Sequence, residues 1–238
     1  MPTLIDAGTG NASHLEAVRS ALGGALLQQV LVTHGHGDHA SGAAALAAQS
    51  PGAVFRKMPW AARDPRYEVR WQPLADGDVV AAGDTHLSAV HTPGHSPDHL
   101  CFWHEPTRTL FCGDLAILGS TVWIPASLAG DLSAYLDSLR RIIGLAPARM
   151  LPAHGPAIEE PVALLQRYLA HRAEREDQIV AALRQGPAPV DTIVGAVYRA
   201  LEPSLLPMAR ESVAAHLHKL ERDGRARPSG DVWHIIDP

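Results

Sequence analysis

Residues 29–39 read QVLVTHGHGDH, a short apolar run that stops abruptly at three imidazoles and a carboxylate. The run itself predicts a buried strand. Its polar end decides the fold, because an apolar strand seldom ends in four groups that all need polar partners. Gly35 and Gly37 relax the backbone, so that His34, His36, Asp38 and His39 can turn towards one or two points instead of splaying apart. Imidazole and carboxylate at such short spacing form the donor set of a cation such as zinc. A solvated polar loop is the competing reading, and it leaves the alternation of histidine and glycine without a reason.

Working outward, TLIDAG (residues 3–8) reads as a short strand entering a turn, and NASHLEAVRSALGG (11–24) as a helix with an Asn or Ser cap and a Gly stop. HASGAAALAAQ (39–49) reads as one helix despite its glycine. Residues 51–84 carry a weaker pattern, with strands expected at AVFRK (53–57) and around YEVRWQPL (67–74) and no chemistry assigned. HLSAVHT (86–92), HLCFWHE (99–105) and RTLFCGD (108–114) predict consecutive strands of a mixed sheet. DLSAYLDSLRRIIGL (131–145) predicts an amphipathic helix, and ARMLPAHGP (148–156) a brief strand ending in a His-Gly turn. Cys101 and Cys112 each lie inside a strand-like stretch, so two buried thiols are expected rather than a disulfide.

The motifs HGHGDH, HTPGHSPDH (91–99), FCGD (111–114) and LPAHG (151–155) follow one another in the order of the metallo-β-lactamase superfamily, and residues 2–160 resemble it throughout. The resemblance implies an α/β fold of αββα sandwich type. Further strands would precede TLIDAG in that family, so the sandwich is expected to be abbreviated at its N-terminus. Carried over by position, His34, His36 and His95 would hold one zinc, Asp38, His39 and His154 a second, and Asp114 would bridge them. Manganese or iron suits the same mixed donors. Two adjacent cations would bring a shared water close to ionisation at neutral pH, making hydroxide the nucleophile, with Asp38 serving it. His99 is the second catalytic candidate, as the orienter of a ligand carboxylate, with Ser96 and Asp98 as turn groups beside His95 that also support the ligands. A bridging aspartate is generally lacking in true β-lactamases of this fold, which disfavours that activity.

Beyond Pro161 the pattern changes to helix. VALLQRYLAHRAEREDQIVAALRQG (162–186) predicts a long bridge, helices are expected at 190–202 and 207–223, and RARPSGDVWHIID (225–237) has hairpin character. Two domains are therefore expected, a catalytic one over 1–160 and a winged-helix-like one over 161–238. GDLSAYLDSLRRI, LPAHGPAI, YLAHRAEREDQI and HLHKLERDGR are similar to the beta-lactamase-like endoribonucleases and to fungal polyketide thioesterases, a resemblance that implies either single-stranded RNA or a thioester as substrate.

Charge weighs between these. The chain of 238 residues carries a formal charge of −5, and residues 171–238 hold 9 Lys/Arg against 10 Asp/Glu. Neither offers the basic face of a nucleic-acid grip, which disfavours a DNA-binding regulator and, more mildly, an endoribonuclease. The sequence reading is thus a dinuclear zinc hydrolase of a small ester, thioester or lactone, with RNA cleavage as the rival. The stripes Val190, Ile193, Val194, Val197 and Val213, Leu217, Leu220 are expected to bury against the catalytic domain as a cap over the active-site mouth, or against a second subunit as a homodimer. His171, Arg172 and Arg175 would reach a substrate carboxylate or phosphate from that cap. No apolar run is long enough to span a bilayer, so no membrane partner is expected and the cytoplasm is the expected compartment.

Overall fold

Side chains alternate along residues 100–103. Leu100 and Phe102 enter one apolar layer, whereas Cys101 and Trp103 enter another. A strand buried on both faces reads as an unbroken apolar run, which explains the sequence pattern of HLCFWHE. The computed structural model describes residues 1–236. Its first sheet comprises β1 (Thr3–Ile5), β2 (Gln29–Leu31), β3 (Val54–Lys57) and β4 (Trp71–Pro73), in that order and all parallel, with α1 (Ala12–Leu22), α2 (Gly37–Ala40) and α3 (Ala43–Gln49) in the crossovers. The second sheet comprises β5 (Val79–Ala82), β6 (Thr85–His91), β7 (Leu100–His104), β8 (Thr109–Gly113) and β9 (Arg149–Pro152), antiparallel except for the parallel β8–β9 pair, which α4 (Leu132–Leu145) connects.

Three apolar layers result. Val30, Val32, Leu46 and Phe55 fill the space between the first sheet and its helices. Leu31, Leu87, Leu100 and Phe102 lie between the sheets. Cys101, Leu110, Cys112, Tyr135, Leu139 and Ile142 lie between the second sheet and α4. The architecture is therefore helix, sheet, sheet, helix. Each fully buried Leu or Phe contributes about 1.5–3 kcal/mol to holding these layers together.

Two glycines fix the loops that carry the polar motifs. A Cβ at Gly94, whose φ is +135°, would lie 2.3 Å from Tyr135 Cα, so the turn before His95 packs directly on α4. A Cβ at Gly42 would lie 2.0 Å from Ala7 O. That contact explains why residues 39–49 are not the single helix expected: the chain breaks between α2 and α3 so that Gly42 N can donate to Gly8 O at 2.8 Å. The strand expected around residues 67–74 is reduced to Trp71–Pro73, because Tyr67 is used elsewhere.

The tail consists of α5 (Pro161–Leu183), β10 (Ala188–Pro189), α6 (Val190–Val197), α7 (Leu206–Arg222), β11 (Ala226–Ser229) and β12 (Val232–Ile235), the last two forming an antiparallel hairpin. Residue 237 of the expected hairpin lies outside the described residues. α6 stops at Val197 instead of 202, with Ala200 at positive φ and Pro203 beginning the next turn. α5 is shared: Leu164, Leu165 and Tyr168 join the catalytic core, while Ile179, Val180 and Leu183 join a second core with Ile193, Val194, Val213, Leu217, Leu220 and Trp233. This corrects the expected burial of the tail stripes. They pack against one another and α5, and the tail meets the catalytic unit instead through Ala215, the bidentate Arg222–Asp131 pair at 2.5 and 2.6 Å, and Glu211 accepting from Ser127 N at 2.9 Å.

Candidate metal centre

The polar residues sit at strand ends along one edge of the sandwich: His34 after β2, His95 after β6, Asp114 after β8 and His154 after β9. Their protonation can be deduced from their partners. His95 Nδ1 donates to Trp123 O at 2.7 Å. His34 Nδ1 donates to Thr33 Oγ1 at 3.1 Å, since the Thr33 hydroxyl gives its own proton to the Asp6 carboxylate at 3.0 Å. Both Nε2 atoms are therefore lone pairs. Each lies 2.9 Å from His36 Nδ1, and one proton there would satisfy only one of them. A cation satisfies all three.

A second convergence lies beside the first. His39 Nδ1 donates to Asp6 Oδ2 at 2.8 Å, which turns Nε2 towards Asp38 Oδ2 and Asp114 Oδ1, each at 3.5 Å. His154 Nε2 lies 3.2 Å from Asp38 Oδ2 and 3.5 Å from Asp114 Oδ1. His39 Nε2 is buried without a hydrogen-bond partner. Asp114 faces both groups, with Oδ1 towards His39 and His154 and Oδ2 3.5 Å from His95 Nε2. The structure thus brings together all seven expected donors as His34, His36, His95 on one side, Asp38, His39, His154 on the other, and Asp114 between them. These residues fit a pair of divalent cations.

Electrostatics agree with that fit. Burial holds His34, His36 and His95 below the usual imidazole range, His36 at about 4, so all three are neutral donors at pH 7. For His39 burial acts downward too, yet the Asp114, Asp38 and Asp6 carboxylates around it push it up to about 12. Three carboxylates around one imidazole favour positive charge at that point, which a divalent cation supplies. Burial alone would raise Asp114, but the adjacent His39 lowers it to about 2.

His99 does not face the cleft, which corrects its assignment as a catalytic residue. It is fully buried, its Nδ1 is 2.8 Å from Thr92 Oγ1, and its Nε2 accepts from Asp114 N at 3.0 Å. It positions the backbone of Asp114 and touches no open space. Burial, reinforced by His95, lowers it to about 3, so it remains the neutral acceptor that this bond requires.

Sequence reasoning missed the supports. Asp6 orients His39 and, through Thr33, His34. Gly35 is held on both sides of its peptide unit: its N–H donates to Asp98 Oδ2 at 2.8 Å, and its carbonyl accepts from Arg63 Nε at 2.8 Å and Tyr67 OH at 2.6 Å. Lys57 and Asp98 form a fully buried ion pair at 2.9 Å, with Lys57 Nζ also reaching Asp64 Oδ1 at 2.5 Å and Met58 O at 2.6 Å. Residues 57–67, whose sequence pattern carries no evident chemistry, are therefore the brace of the HGHGDH loop. The one signal is that Lys57 is one of only two lysines in the chain.

A cleft of about 340 Å³ opens on the second group, lined by Asp38, His39, His154, His14, Phe111 and Leu151 among others, and no Lys or Arg contributes to its wall. Among the described residues none of the tail lines it. Residues 2–154 match the family model of the metallo-beta-lactamase superfamily, and residues 190–233 that of the beta-lactamase associated winged helix domain. The chain belongs to the metallo-beta-lactamase superfamily. It is 32% identical over 228 residues to a beta-lactamase-like protein 2 homolog of Drosophila melanogaster, covering 90% of this chain and 76% of that one. It is also 32% identical over 258 residues to an atrochrysone carboxyl ACP thioesterase of Aspergillus fumigatus, covering 98% of this chain and 58% of that one. A beta-lactamase domain protein from Burkholderia ambifaria shares the fold, with a TM-score of 0.83 at 23% identity over 98% of this chain and 82% of that one. As a member of this superfamily the chain is a hydrolase with a winged-helix tail.

Proposed function

We propose that the protein is a dinuclear metallohydrolase, zinc being the favoured cation, that acts on a small ester, thioester or lactone. The observation that carries this reading is Asp114, whose two oxygens face two separate donor groups. When bound, a pair of divalent cations supplies Lewis acidity and a hydroxide nucleophile at neutral pH. The chain supplies the rest. Asp38 is held ionised by His39 beside it, and its half-exposed carboxylate is the acceptor for a proton released in the cleft. Asp114, fixed from behind by His99, keeps the two donor groups at a constant separation.

The cleft wall favours an acyl substrate over RNA. Phe111, Leu151 and Ile5 offer an apolar bed, and the wall carries no cationic side chain to neutralise a phosphodiester backbone. The thioesterase from Aspergillus fumigatus, as a relative, supports the same class. Buried thiols at Cys101 and Cys112 support a reducing compartment such as the cytoplasm. Among the described residues no helix is long and apolar enough to cross a membrane.

Parallel assays on a short acyl thioester and a single-stranded RNA test the reading, with elemental analysis of the same preparation. Thioester hydrolysis, about two cations per chain, and loss of turnover in a normally folded Asp38→Ala variant are expected. RNA cleavage without thioester hydrolysis would overturn the substrate, and zero bound metal after supplementation would overturn the centre.

A further inference from the structure

A second cavity, of about 280 Å³, lies between residues 121–124, the middle of α5 and the start of α7. Its polar wall is formed by His171, Arg172, Arg175, Thr121, Tyr198 and Ser212, and among the described residues no Asp or Glu contributes. Arg172 is buried and spends one Nη2 bond on Val122 O. Arg175 lies 4.1 Å over the Tyr198 ring and gives Nη1 to Gln178 Oε1 at 2.9 Å. Among the described residues neither guanidinium has a carboxylate within ion-pair distance. Arg175 Nε, His171 Nδ1 and Trp123 Nε1, all belonging to residues that line the cavity, are buried without a hydrogen-bond partner. Both ring nitrogens of the fully buried His216, on the neighbouring α7, are unpartnered as well.

Two guanidinium groups in a half-enclosed site without a counter-charge are costly unless an anion completes them. Three acidic groups nearby are committed elsewhere, the first being Glu174, which accepts from Gln178 Nε2 at 3.3 Å. Glu176 pairs with Lys219 at 2.9 Å and Arg225 at 2.6 Å, and Glu211 holds Ser127 N. The apolar part of the wall, Val122, Leu201, Leu205 and Met208, suits an aliphatic stem and not a polynucleotide, which would need an extended basic track. The volume lies at the lower end of ligand pockets, of the order of 300 Å³, room for a phosphate and the first atoms of its stem. Trp123 joins this cavity to the metal centre, since it lines the one and its carbonyl holds His95 of the other.

We propose that this cavity is a phosphate-binding site that takes the phosphate ester at the non-reacting end of a small acyl substrate, with Arg172 and Arg175 as its charged donors and His171 and Trp123 as neutral ones. In naming a substrate end, the inference rests on the acyl-hydrolase reading given above. Planar guanidinium groups match the oxygens of a phosphate ester, and the stem then runs along Leu201, Leu205 and Met208.

The test compares S-methylated pantetheine 4′-phosphate with S-methylated pantetheine by calorimetry on the metal-loaded full chain. The two probes differ only in the phosphate, and neither carries a free thiol or a scissile thioester. Tighter binding of the phosphorylated probe is expected, together with a loss of about tenfold in Arg175→Gln and His171→Asn, each on a half-exposed side chain whose loss spares the core. Equal binding of the two probes would overturn the site, and so would phosphate-dependent binding that both variants leave unchanged, which would place the anion at the metals. Displacement of the probe by a single-stranded RNA at a similar concentration would overturn the small-molecule assignment. Because binding is read without turnover, phosphate-dependent binding in a protein that hydrolyses no thioester would refute the proposed reaction and leave the anion site standing. Thioester hydrolysis with no phosphate dependence would do the reverse.

Discussion

The two donor groups of the centre are built differently. His34, His36 and His95 are buried; Thr33 and Trp123 O fix the rings of His34 and His95, and the clamp on Gly35 holds the backbone between His34 and His36. In the other group only His39 is buried, whereas the side chains of Asp38 and His154 are 50% and 48% exposed and line the cleft. One half is part of the packed interior and the other belongs to the solvent boundary. The difference separates holding from reacting: rigid donors keep a cation in place, and accessible ones let a substrate approach it.

The sharpest way to break this contrast is Asp114→Ala, which removes the carboxylate that faces both groups. We expect a fall in kcat/KM on the order of 10³-fold, comparable to the loss of a preorganised electrostatic group, together with less than the full complement of metal. Steady-state kinetics and elemental analysis check both, and retention of two cations with near-normal turnover would show that the halves do not depend on their shared residue.

Lys57→Met sharpens the contrast from the buried side. It leaves the buried Asp98 charge without its counter-charge beneath Gly35, so we expect a loss of about 3 kcal/mol in unfolding free energy. Adding Asp98→Asn should recover part of that loss. Denaturant titration measures it, and a change below about 0.5 kcal/mol would place the brace among ordinary surface contacts. The smallest effect expected is kinetic: a competing chelator should remove metal in two phases, the first assigned to the exposed group by its being the phase that Asp38→Asn accelerates. A single phase, unaltered by that variant, would mean that exposure does not govern release.

The contrast also explains what can be read from the sequence. The seven donors are legible because histidine, aspartate and glycine at short spacing have few other uses at the end of an apolar strand. Asp6 is not, since one aspartate at a strand end resembles any turn residue, and its work depends on Thr33 and His39 being brought to it by a parallel pairing. Lys57 is hidden for the same reason, its partner lying far along the chain. Spacing marks His99 as the orienter of a ligand carboxylate, but not that it acts through the backbone N–H of Asp114, which depends on the way its ring faces. The break at Gly42 depends on Ala7 O, which no local propensity encodes. The tail helices are legible by period, but their burial in a core of their own depends on how α5 divides its faces.

α5 has a mechanical consequence. Tyr168 and Arg172 lie one helical turn apart on it; Tyr168 OH is 2.6–2.7 Å from the carbonyl oxygens of Ile117 and Ser120, and Arg172 donates to Val122 O. The next residue, Trp123, presents the carbonyl that sets the His95 ring. The far half of the same helix is embedded among the side chains of the winged-helix core. A continuous 23-residue helix is a stiff rod of about 35 Å. Torque applied to the tail is therefore delivered to the segment that aims a metal donor, and the winged helix serves as the handle of a lever whose short arm ends at His95.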